Sequence, residues 1–511
     1  MFAKRLSGIL LHPTSLPSRF GIGDMGPSAY AFADFLARTG QSLWQILPLG
    51  HISFGNSPYM CLSAFAGNPY LISPQKLVDD GYLDSSDIER IPDFPNDRVD
   101  YAMAIDYKLN LLRKTFDKRD KKASLEDYYG FCEKNSFWLD DYALFVSLKS
   151  IHNLKPWTMW EQNASDHDPL NLAIWRNRLA EDIEFWKFTQ YLFFKQWNDL
   201  KSYCERNGIS IIGDIPVYVA HDSAEVWANR DLFYLDDLGN PLVVAGVPPD
   251  YFSATGQRWG NPIYRWEKME KRGFLWWIDR FRINFSMVDM VRLDHFRGFE
   301  AYWEIPAHEP TAENGRWIKG PGKKLFDAVH NALGNVNMIA EDLGVITTEV
   351  DTLRDELGYP GMRILQMAFG TDPKASEYRP HNHIHNCAVY TASHDHNTTV
   401  GWFTAKSGSQ STQSEQEIQS ERNLVRKYLN TDCNQIHWDM IRLAMSSVAR
   451  ICVIPLQDIL GLGTETRMNM PGTTKGNWEW RFTQEIISGE IENKLRYLAE
   501  LYERSSGSFG T

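Results

Sequence analysis

Three acidic residues each follow a separate run of apolar residues in this chain. They are Asp294 in Arg-Leu-Asp-His-Phe-Arg-Gly, Glu341 in Ile-Ala-Glu-Asp-Leu-Gly and Asp395 in Ala-Ser-His-Asp-His-Asn-Thr-Thr. A carboxylate can attack an electrophilic carbon, and a protonated carboxyl can donate to a leaving oxygen. Cleavage of a glycosidic bond with retention needs both groups, about 5–5.5 Å apart. A third carboxylate can hold the sugar ring while positive charge develops at the anomeric carbon.

The residues next to these acids favour different roles for them. Arg292 precedes Asp294 by two positions, so the two side chains share one face of a strand, and we expect the cation to keep Asp294 ionised. Glu341 has no cation immediately beside it, and Asp342 discourages its ionisation only if both face the same way. The pattern favours Asp294 as nucleophile and Glu341 as proton donor. The alternative is that each acid merely caps the helix that follows.

Eight short apolar or β-branched runs end abruptly in polar residues, and helical patterns lie between many of them. The runs cover residues 8–11, 42–47, 209–212, 287–291, 337–340, 363–369, 387–392 and 451–454. Such runs are typical of strands buried on both faces of a parallel sheet. Eight of them predict an α/β fold, a (β/α)8 TIM barrel, in which reactive groups lie at the carboxyl ends of the strands.

The uneven spacing of these strands predicts insertions in one catalytic barrel that spans residues 1–511. We expect a helical subdomain at about residues 60–205, between the second and third strands, because helical patterns fill that stretch. A second insertion, at about residues 235–272, is rich in Pro, Gly and aromatic residues and is typical of a loop over the site.

The composition restricts the location and the partners of the protein. The chain has 511 residues, 43% hydrophobic and 23% charged, with a net charge of −12, which argues against nucleic acid as a partner. The apolar part of the N-terminus is too short for a secretory signal, and no run reaches the roughly 18 apolar residues of a membrane span. The six cysteines form no C-x-x-C pair. We therefore expect a cytoplasmic protein with reduced thiols.

Five further motifs are long and specific. They are Leu-His-Pro-Thr-Ser-Leu-Pro-Ser at residues 11–18, Asn-Ser-Pro-Tyr at 56–59, Gly-Asp-Ile-Pro-Val-Tyr-Val-Ala-His-Asp-Ser at 213–223, Gly-Val-Pro-Pro-Asp-Tyr-Phe-Ser-Ala-Thr-Gly-Gln at 246–257 and Asn-Met-Pro-Gly-Thr at 469–473. With the three acidic segments, they closely resemble the amylomaltase or disproportionating-enzyme family, the 4-α-glucanotransferases among the α-amylase-like glycoside hydrolases. The resemblance spans essentially the whole chain.

This resemblance implies an α-amylase-like barrel without a C-terminal β-domain, and a retaining double displacement on α-1,4-glucans with glucose or maltodextrin acceptors. It implies neither a metal nor an organic cofactor. By the same resemblance, Asp294 would be the nucleophile, Glu341 the acid/base and Asp395 the transition-state stabiliser. The implied substrate contacts are Tyr59, Asp214, Gln257, Trp259, Arg292, His394 and Asn469.

Two positions depart from the family pattern. His396 stands after Asp395, where Asn is usual, and Gly370 follows Phe369, where relatives often have an acid. Neither departure changes the three carboxylates. They therefore bear on sugar contacts and substrate preference.

Transfer to a sugar instead of water requires exclusion of water and binding of the acceptor. Residues 247–259 form a candidate lid, with Gly256 for bending and Tyr251 and Phe252 as a sugar-facing surface. The alternative is a packed loop that seals the barrel rim. Tyr59 is interpreted either as a contact that holds a glucan outside the catalytic cleft or as a half-buried turn tyrosine.

The sequence also allows other sites and functions. The pattern G-x-G-x-x-G at residues 21–26 would suggest a dinucleotide site, but no acid follows about twenty residues later. His381, His383 and His385 alternate, which would suit a metal on an extended segment, although no supporting partner pattern accompanies them. The alternative functions are an α-1,4-glucan hydrolase on the same carboxylates and a catalytically silent glucan-binding protein.

Overall fold

Eight parallel strands close into a barrel at the centre of the computed structural model, which describes residues 4–53, 55–119, 125–249, 253, 255–408 and 413–505. In chain order, the strands within these residues are β1 (Leu6–Leu10), β2 (Leu43–Gln45), β3 (Ser210–Pro216), β4 (Val243–Val247), β5 (Gln257–Pro262), β6 (Met290–Asp294), β7 (Ala301–Pro306), β8 (Arg316–Lys319), β9 (Met338–Ala340), β10 (Gly361–Ile364), β11 (Cys387–Tyr390) and β12 (Ile451–Pro455).

The barrel staves follow one another in the order β1, β2, β3, β6, β9, β10, β11 and β12, and β12 pairs with β1 to close the ring. Each of the eight predicted apolar runs overlaps one stave. The strands read as continuous apolar runs because the barrel interior buries one face and the surrounding helices cover the other. The predicted (β/α)8 TIM barrel is confirmed.

The sixth strand of the barrel, β10, is shorter than the sequence predicts. β10 ends at Ile364, and residues 365–368 form a 3-10 helix instead of continuing the strand. Leu365 and Ala368 are still fully buried in the core. An apolar run alone does not distinguish a buried strand from a buried helical turn, which is why the predicted strand extended to Phe369.

Helices surround the barrel and fill the connections between its staves. In chain order they are α1 (Pro27–Arg38), α2 (Pro74–Asp79), α3 (Tyr101–Asp117), α4 (Leu125–Ile151), α5 (Gln162–Ser165), α6 (Pro169–Arg178), α7 (Ala180–Arg206), α8 (Ala224–Ala228), α9 (Trp266–Lys271), α10 (Leu275–Met287), α11 (Arg297–Glu300), α12 (Lys323–Leu333), α13 (Thr348–Glu356), α14 (Thr399–Thr404), α15 (Glu415–Leu429), α16 (Ile436–Ser446), α17 (Leu456–Ile459) and α18 (Gly489–Leu501). Helices α2 to α7 all lie between β2 and β3, where α4 and α7 pack along each other.

A second sheet stands outside the barrel. Its four antiparallel strands run in the order β5, β4, β7 and β8. The sequence predicts only a loop at residues 235–272, but β4 and β5 lie within that stretch. Their short, glycine-containing sequences carry little strand signal, since the pairing with β7 comes from a distant part of the chain. Tyr251 and Phe252, expected on the lid, lie outside the described residues.

Within the described ranges, no helix is long and apolar enough to cross a membrane. All six cysteines are free thiols.

Strands β1 and β2 approach each other closely at Gly8. Gly8 pairs with Leu43 across these strands, and a methyl group on Gly8 would overlap the carbonyl oxygen and the Cβ of Leu43. The barrel therefore closes at this point only with a glycine.

We expect Gly8→Ala to lower the free energy of unfolding by about 1–3 kcal/mol, because two backbones would have to separate inside a packed barrel. Thermal unfolding followed by circular dichroism measures the change. Gly489→Ala is the matched control, since among the described residues no atom outside its chain neighbours and its own helix backbone lies within 4 Å of the added methyl group. Equal midpoints for the two variants would contradict the packing argument.

Candidate active site

Two of the three acids emerge side by side at the carboxyl ends of neighbouring staves. Leu293 of β6 pairs with Ala340 of β9, so the next residues, Asp294 and Glu341, leave the barrel together. The main-chain N–H of Glu341 donates to the Leu293 carbonyl at 3.0 Å, and the N–H of Phe296 donates to the Glu341 carbonyl at 3.1 Å. The backbone therefore fixes the relative positions of these two acids.

A buried arginine joins two of the aspartates. Nη1 of Arg292 lies 2.7 Å from Oδ2 of Asp214, and Nη2 lies 2.9 Å from Oδ1 of Asp294. The side chain of Arg292 is 3% exposed, and that of Asp214 is fully buried. Burial opposes the charge of Arg292, but the two carboxylates outweigh it and raise its pKa well above the usual value. The group therefore remains a permanent cation among acids.

Glu341 is held by the main chain and not by a cation. Its Oε2 accepts from the N–H of His295 at 2.7 Å, and its Oε1 accepts from the N–H of Leu343 at 2.9 Å. Burial raises the pKa of Glu341 to about 7, the charge of Asp294 adds to the rise, and Arg292 opposes it. Glu341 is thus the acid best suited to carry a proton near neutral pH.

His295 adopts an unusual backbone conformation between the two acids. Its φ of 51° lies in the left-handed region, which costs energy for a residue with a side chain. This conformation accompanies the hydrogen bond from its N–H to Glu341. The sequence does not reveal this turn, because most histidines lie at negative φ even though histidine adopts positive φ more often than most residues with a side chain.

Asp342 does not face Glu341. Its carboxylate lies 2.5 Å from Nη1 of Arg354 and 3.3 Å from Nη1 of Arg363, and it accepts from the N–H of Met362 at 2.6 Å. These contacts anchor the turn after β9 to β10 and α13. Asp342 therefore positions the segment that carries Glu341 instead of repelling its charge.

The ionisation of Asp294 depends on burial as well as on Arg292. Arg292 contacts Asp294 as predicted and lowers its pKa, but burial outweighs this contact and, with the charges of Asp214 and Asp395, raises the pKa of Asp294 to about 6. A sequence shows which cation is adjacent but not how far the carboxylate is desolvated. The asymmetry between the two acids lies in their contacts, since Arg292 contacts Asp294 whereas main-chain N–H groups hold Glu341.

Asp395 follows β11 and remains an anion. His394 Nε2 lies 3.3 Å from its Oδ2, and the side-chain amide of Asn469 donates to its Oδ1 at 2.5 Å. Burial works against ionisation, but these two contacts outweigh it and hold the pKa of Asp395 well below the usual range. The N–H of Asn469 also donates to the His394 carbonyl at 3.1 Å, so both partners are fixed to one segment.

Tyr59 lies inside this cluster and not outside the cleft. Its hydroxyl donates to Oδ2 of Asp214 at 2.8 Å, and its ring stacks on His394 with centroids 5.1 Å apart. Trp478, a residue that sequence reasoning missed, packs against both rings at 5.8 and 6.0 Å. The interpretation that Tyr59 holds a glucan outside the cleft is therefore wrong, because the turn at residues 56–59 folds back over the end of β3.

The outer sheet brings the last two predicted contacts to the same place. Trp259 of β5 meets the ring of His295 edge-on, with centroids 4.8 Å apart, and its indole N–H donates to Oε1 of Gln257 at 3.1 Å. All ten predicted site residues thus form one connected group. Arg292 and His394 link most of them, and His295 links Glu341 and Trp259 to the rest.

The two departures from the family pattern have local partners here. Nδ1 of His396 lies 2.8 Å from the hydroxyl of Ser393, and burial lowers the pKa of His396 to about 4, so it is neutral. Beside Gly370, the nearest atom to the position of an added Cβ is Oε1 of Glu421, at 3.4 Å. A carboxylate from α15 therefore lies next to the position without an acid.

The alternative sites do not assemble. Asp24 occupies the turn at residues 21–26 with its own carboxylate, which accepts from the Gly26 N–H at 3.0 Å and from Nζ of Lys108 at 2.8 Å. Of the alternating histidines, His381 contacts Tyr428, whereas His383 contacts Ser447. Across the part of the chain that the structure describes, no group of three or more His, Cys, Asp or Glu side chains could hold a metal ion.

Comparison with known proteins identifies the family. Residues 11–486 match the family model described as 4-alpha-glucanotransferase. The chain belongs to the 4-α-glucanotransferase family. A 4-alpha-glucanotransferase from Synechocystis is 50% identical over 511 residues, covering 99% of each chain, and one from Thermus thermophilus is 46% identical, covering 98% of this chain and 99% of the relative.

A solved structure extends the similarity to the fold. The amylomaltase from Streptococcus agalactiae in complex with acarbose superposes with a TM-score of 0.93 at 37% identity, over 98% of this chain and 100% of that one. The family predicted from the motifs is confirmed. Its membership makes the protein a glycosyltransferase that acts on α-1,4-glucans.

For this glucanotransferase, we expect Arg292→Lys to lower kcat by at least about a hundredfold, because an ammonium cannot contact Asp214 and Asp294 through two separate nitrogens. Glucose release from maltotriose measures the change. Arg272→Lys is the control, because Arg272 pairs with Asp231 on the surface and is 56% exposed. Activity of Arg292→Lys close to that of the control would show that only the charge matters.

Proposed function

We propose that this 4-α-glucanotransferase works by a retaining double displacement through a covalent glucosyl ester on Asp294. Glu341 acts first as the acid and then as the base, and Asp395 stabilises the transition state. The observation that carries the proposal is the pairing of β6 with β9, which sets Asp294, in contact with Arg292, beside Glu341, which main-chain N–H groups hold. The ionised form suits attack, and the protonated form suits donation.

In the first step, an oxygen of Asp294 forms a bond to the anomeric carbon while the bond from that carbon to the leaving glucan oxygen breaks. The proton of Glu341 moves to the leaving oxygen. In the second step, the Glu341 carboxylate takes the proton of an acceptor hydroxyl, whose oxygen attacks the anomeric carbon and releases Asp294. The products are a transferred glucan and the original enzyme.

The sugar at the cleavage point would be held by the polar groups around these acids. Asp395 stays anionic, so it can accept hydrogen bonds from sugar hydroxyls and offset positive charge at the anomeric carbon. We assign the other contacts to the residues that surround it in the structure, which are Tyr59, Asp214, Arg292, His394 and Asn469.

Gln257 and Trp259 would bind the acceptor side of the glucan. Trp259 packs on His295, whose N–H holds Glu341, so a sugar on Trp259 lies next to the acid/base. We propose that residues 235–272 act as the lid that excludes water, and that residues 60–205 form a separate helical subdomain. The acceptors would be glucose or maltodextrins. Water would attack the glucosyl ester in place of these acceptors only when the lid is open.

We also propose that the enzyme works in the cytoplasm. Six free cysteines support a reducing compartment, since none of them pairs with another.

The covalent intermediate can be trapped in Glu341→Gln. With α-glucosyl fluoride as donor, the leaving group needs no proton, so Asp294 still reacts, but the acceptor lacks its base and the ester accumulates. Mass spectrometry of the peptide that contains Asp294 is expected to show the added mass of one anhydroglucose unit. The double variant Asp294→Asn with Glu341→Gln is the control, and an equal mass gain there would sink the nucleophile assignment.

The raised pKa values predict a narrow, bell-shaped dependence of kcat/KM on pH. Asp294 must be ionised, so activity falls as the pH drops through its pKa of about 6. Glu341 must be protonated, so activity falls as the pH rises through its pKa of about 7. Initial rates on maltotriose across pH 5 to 9 measure both limbs.

His396→Asn is the control for this profile. His396 also titrates near the site, with a pKa of about 4, so both limbs should keep their positions in the variant. A basic limb that persists in Glu341→Gln with α-glucosyl fluoride would assign that limb to another group.

A further inference from the structure

An exposed tryptophan stands on the edge strand of the outer sheet. Trp317 of β8 is 38% exposed, an unusual state for a large indole ring. It pairs directly with Trp303 of β7, and the two rings meet edge-on with centroids 5.2 Å apart. The guanidinium of Arg297 lies 3.7 Å from the centre of the Trp317 ring. Arg297 therefore covers one face of the indole, and the exposed part of the Trp317 side chain is left for a ligand.

The supports of this ring are themselves fixed. The indole N–H of Trp303 donates to the Ala312 carbonyl at 2.9 Å, and Gly315 packs so closely on the Trp303 ring that a methyl group would overlap it. Arg297 is 5% exposed and donates to the Val345 carbonyl. Trp317 is thus held in one orientation before any ligand binds, which reduces the entropy cost of binding.

Trp317 lies beside the active-site rim. Arg297 bridges its ring to Val345, four residues after Glu341. On the other side of the pair, the N–H of Ala312 donates to the carbonyl of Thr255, in the segment proposed as the lid, at 3.1 Å. The tryptophan pair therefore connects the acid/base segment with the base of the lid.

The pair also lies on the opposite face of the sheet from Trp259. Gly246 of β4 pairs with both Trp303 and Arg258, so these residues share a face with Trp317. Trp259, one position after Arg258, points to the other face and reaches His295. A short sugar on Trp259 consequently does not touch Trp317, whereas a long chain that passes over the edge of β8 does.

The charges around Trp317 suit a neutral ligand. Arg316 pairs with Glu304 at 2.7 Å, and Lys319 pairs with Glu300. These two exposed cations beside Trp317 are therefore already balanced by carboxylates, whereas Arg297 on the ring is 5% exposed. An anionic ligand gains little here, whereas the apolar face of a sugar gains from stacking on an indole.

We propose that Trp317 is a stacking residue for long α-1,4-glucans, outside the catalytic cleft, and that it increases the affinity for donors too long for the cleft alone. The proposal rests on the glucan substrate of the proposed function. Its continuity with the acid/base segment and the lid selects a glucan over an unrelated protein partner as the occupant.

The test compares Trp317→Ala with the parent enzyme on maltotriose and on long-chain amylose. We expect KM for amylose to rise about five- to tenfold, with kcat and both constants for maltotriose unchanged, because only long chains reach the ring. Trp317→Phe should show a smaller rise. Tyr497→Ala is the control, since Tyr497 is an aromatic residue on α18 with 55% exposure.

Each other outcome is decisive. An unchanged KM for amylose overturns the proposal, and so does an equal loss on both substrates, which would indicate a disturbed sheet. If the parent is a dimer by sedimentation and Trp317→Ala is a monomer with an unchanged KM, the ring contacts a second copy instead. Failure of the Asp294 trapping experiment would refute the proposed mechanism but not the role of Trp317. Binding of amylose is measured separately, as retardation in native gels that contain amylose, and this measurement needs no turnover.

Discussion

The site depends on one buried cation among acids. Arg292 contacts Asp214 and Asp294 at the carboxyl end of the barrel, where desolvation makes an unpaired charge costly. Burial raises the pKa of both Asp294 and Glu341, and the charge of Arg292 opposes both rises. The register of β3 against β6, which pairs Asp214 with Arg292, makes this arrangement possible. The register of these two strands therefore also determines the charge balance of the site.

The sequence was sufficient to predict the barrel and the position of its acids, and the reason is physical. Strands buried on both faces are mostly apolar, so polar residues mark their carboxyl ends, as Glu341 does directly after β9. Features that depend on distant segments were not predictable. Examples are the pairing of β4 with β7, the end of β10 at Ile364, and the fold of Tyr59 onto His394.

The pKa shifts show the same contrast between what adjacent residues determine and what the whole fold determines. The contact between Arg292 and Asp294 follows from their spacing on one strand, but the rise in the pKa of Asp294 comes from desolvation by the whole fold. Likewise, Asp342 is next to Glu341 in sequence, yet Arg354 and Met362 turn its carboxylate away. Adjacent residues determine which charges can interact, whereas three-dimensional packing determines how strongly they do.

The residues proposed to cleave the glucan lie on the barrel, whereas the residue proposed to bind long chains lies on the outer sheet. The carboxylates lie on barrel staves whose register leaves little freedom, whereas Trp259 and Trp317 lie on opposite faces of a sheet outside that barrel. A substitution on β8 can therefore alter the binding of long chains without moving Asp294 or Glu341. The backbone hydrogen bond from His295 to Glu341, together with the packing of Trp259 on His295, is the route by which a bound sugar would affect Glu341. Binding and catalysis then meet at one residue with a strained backbone.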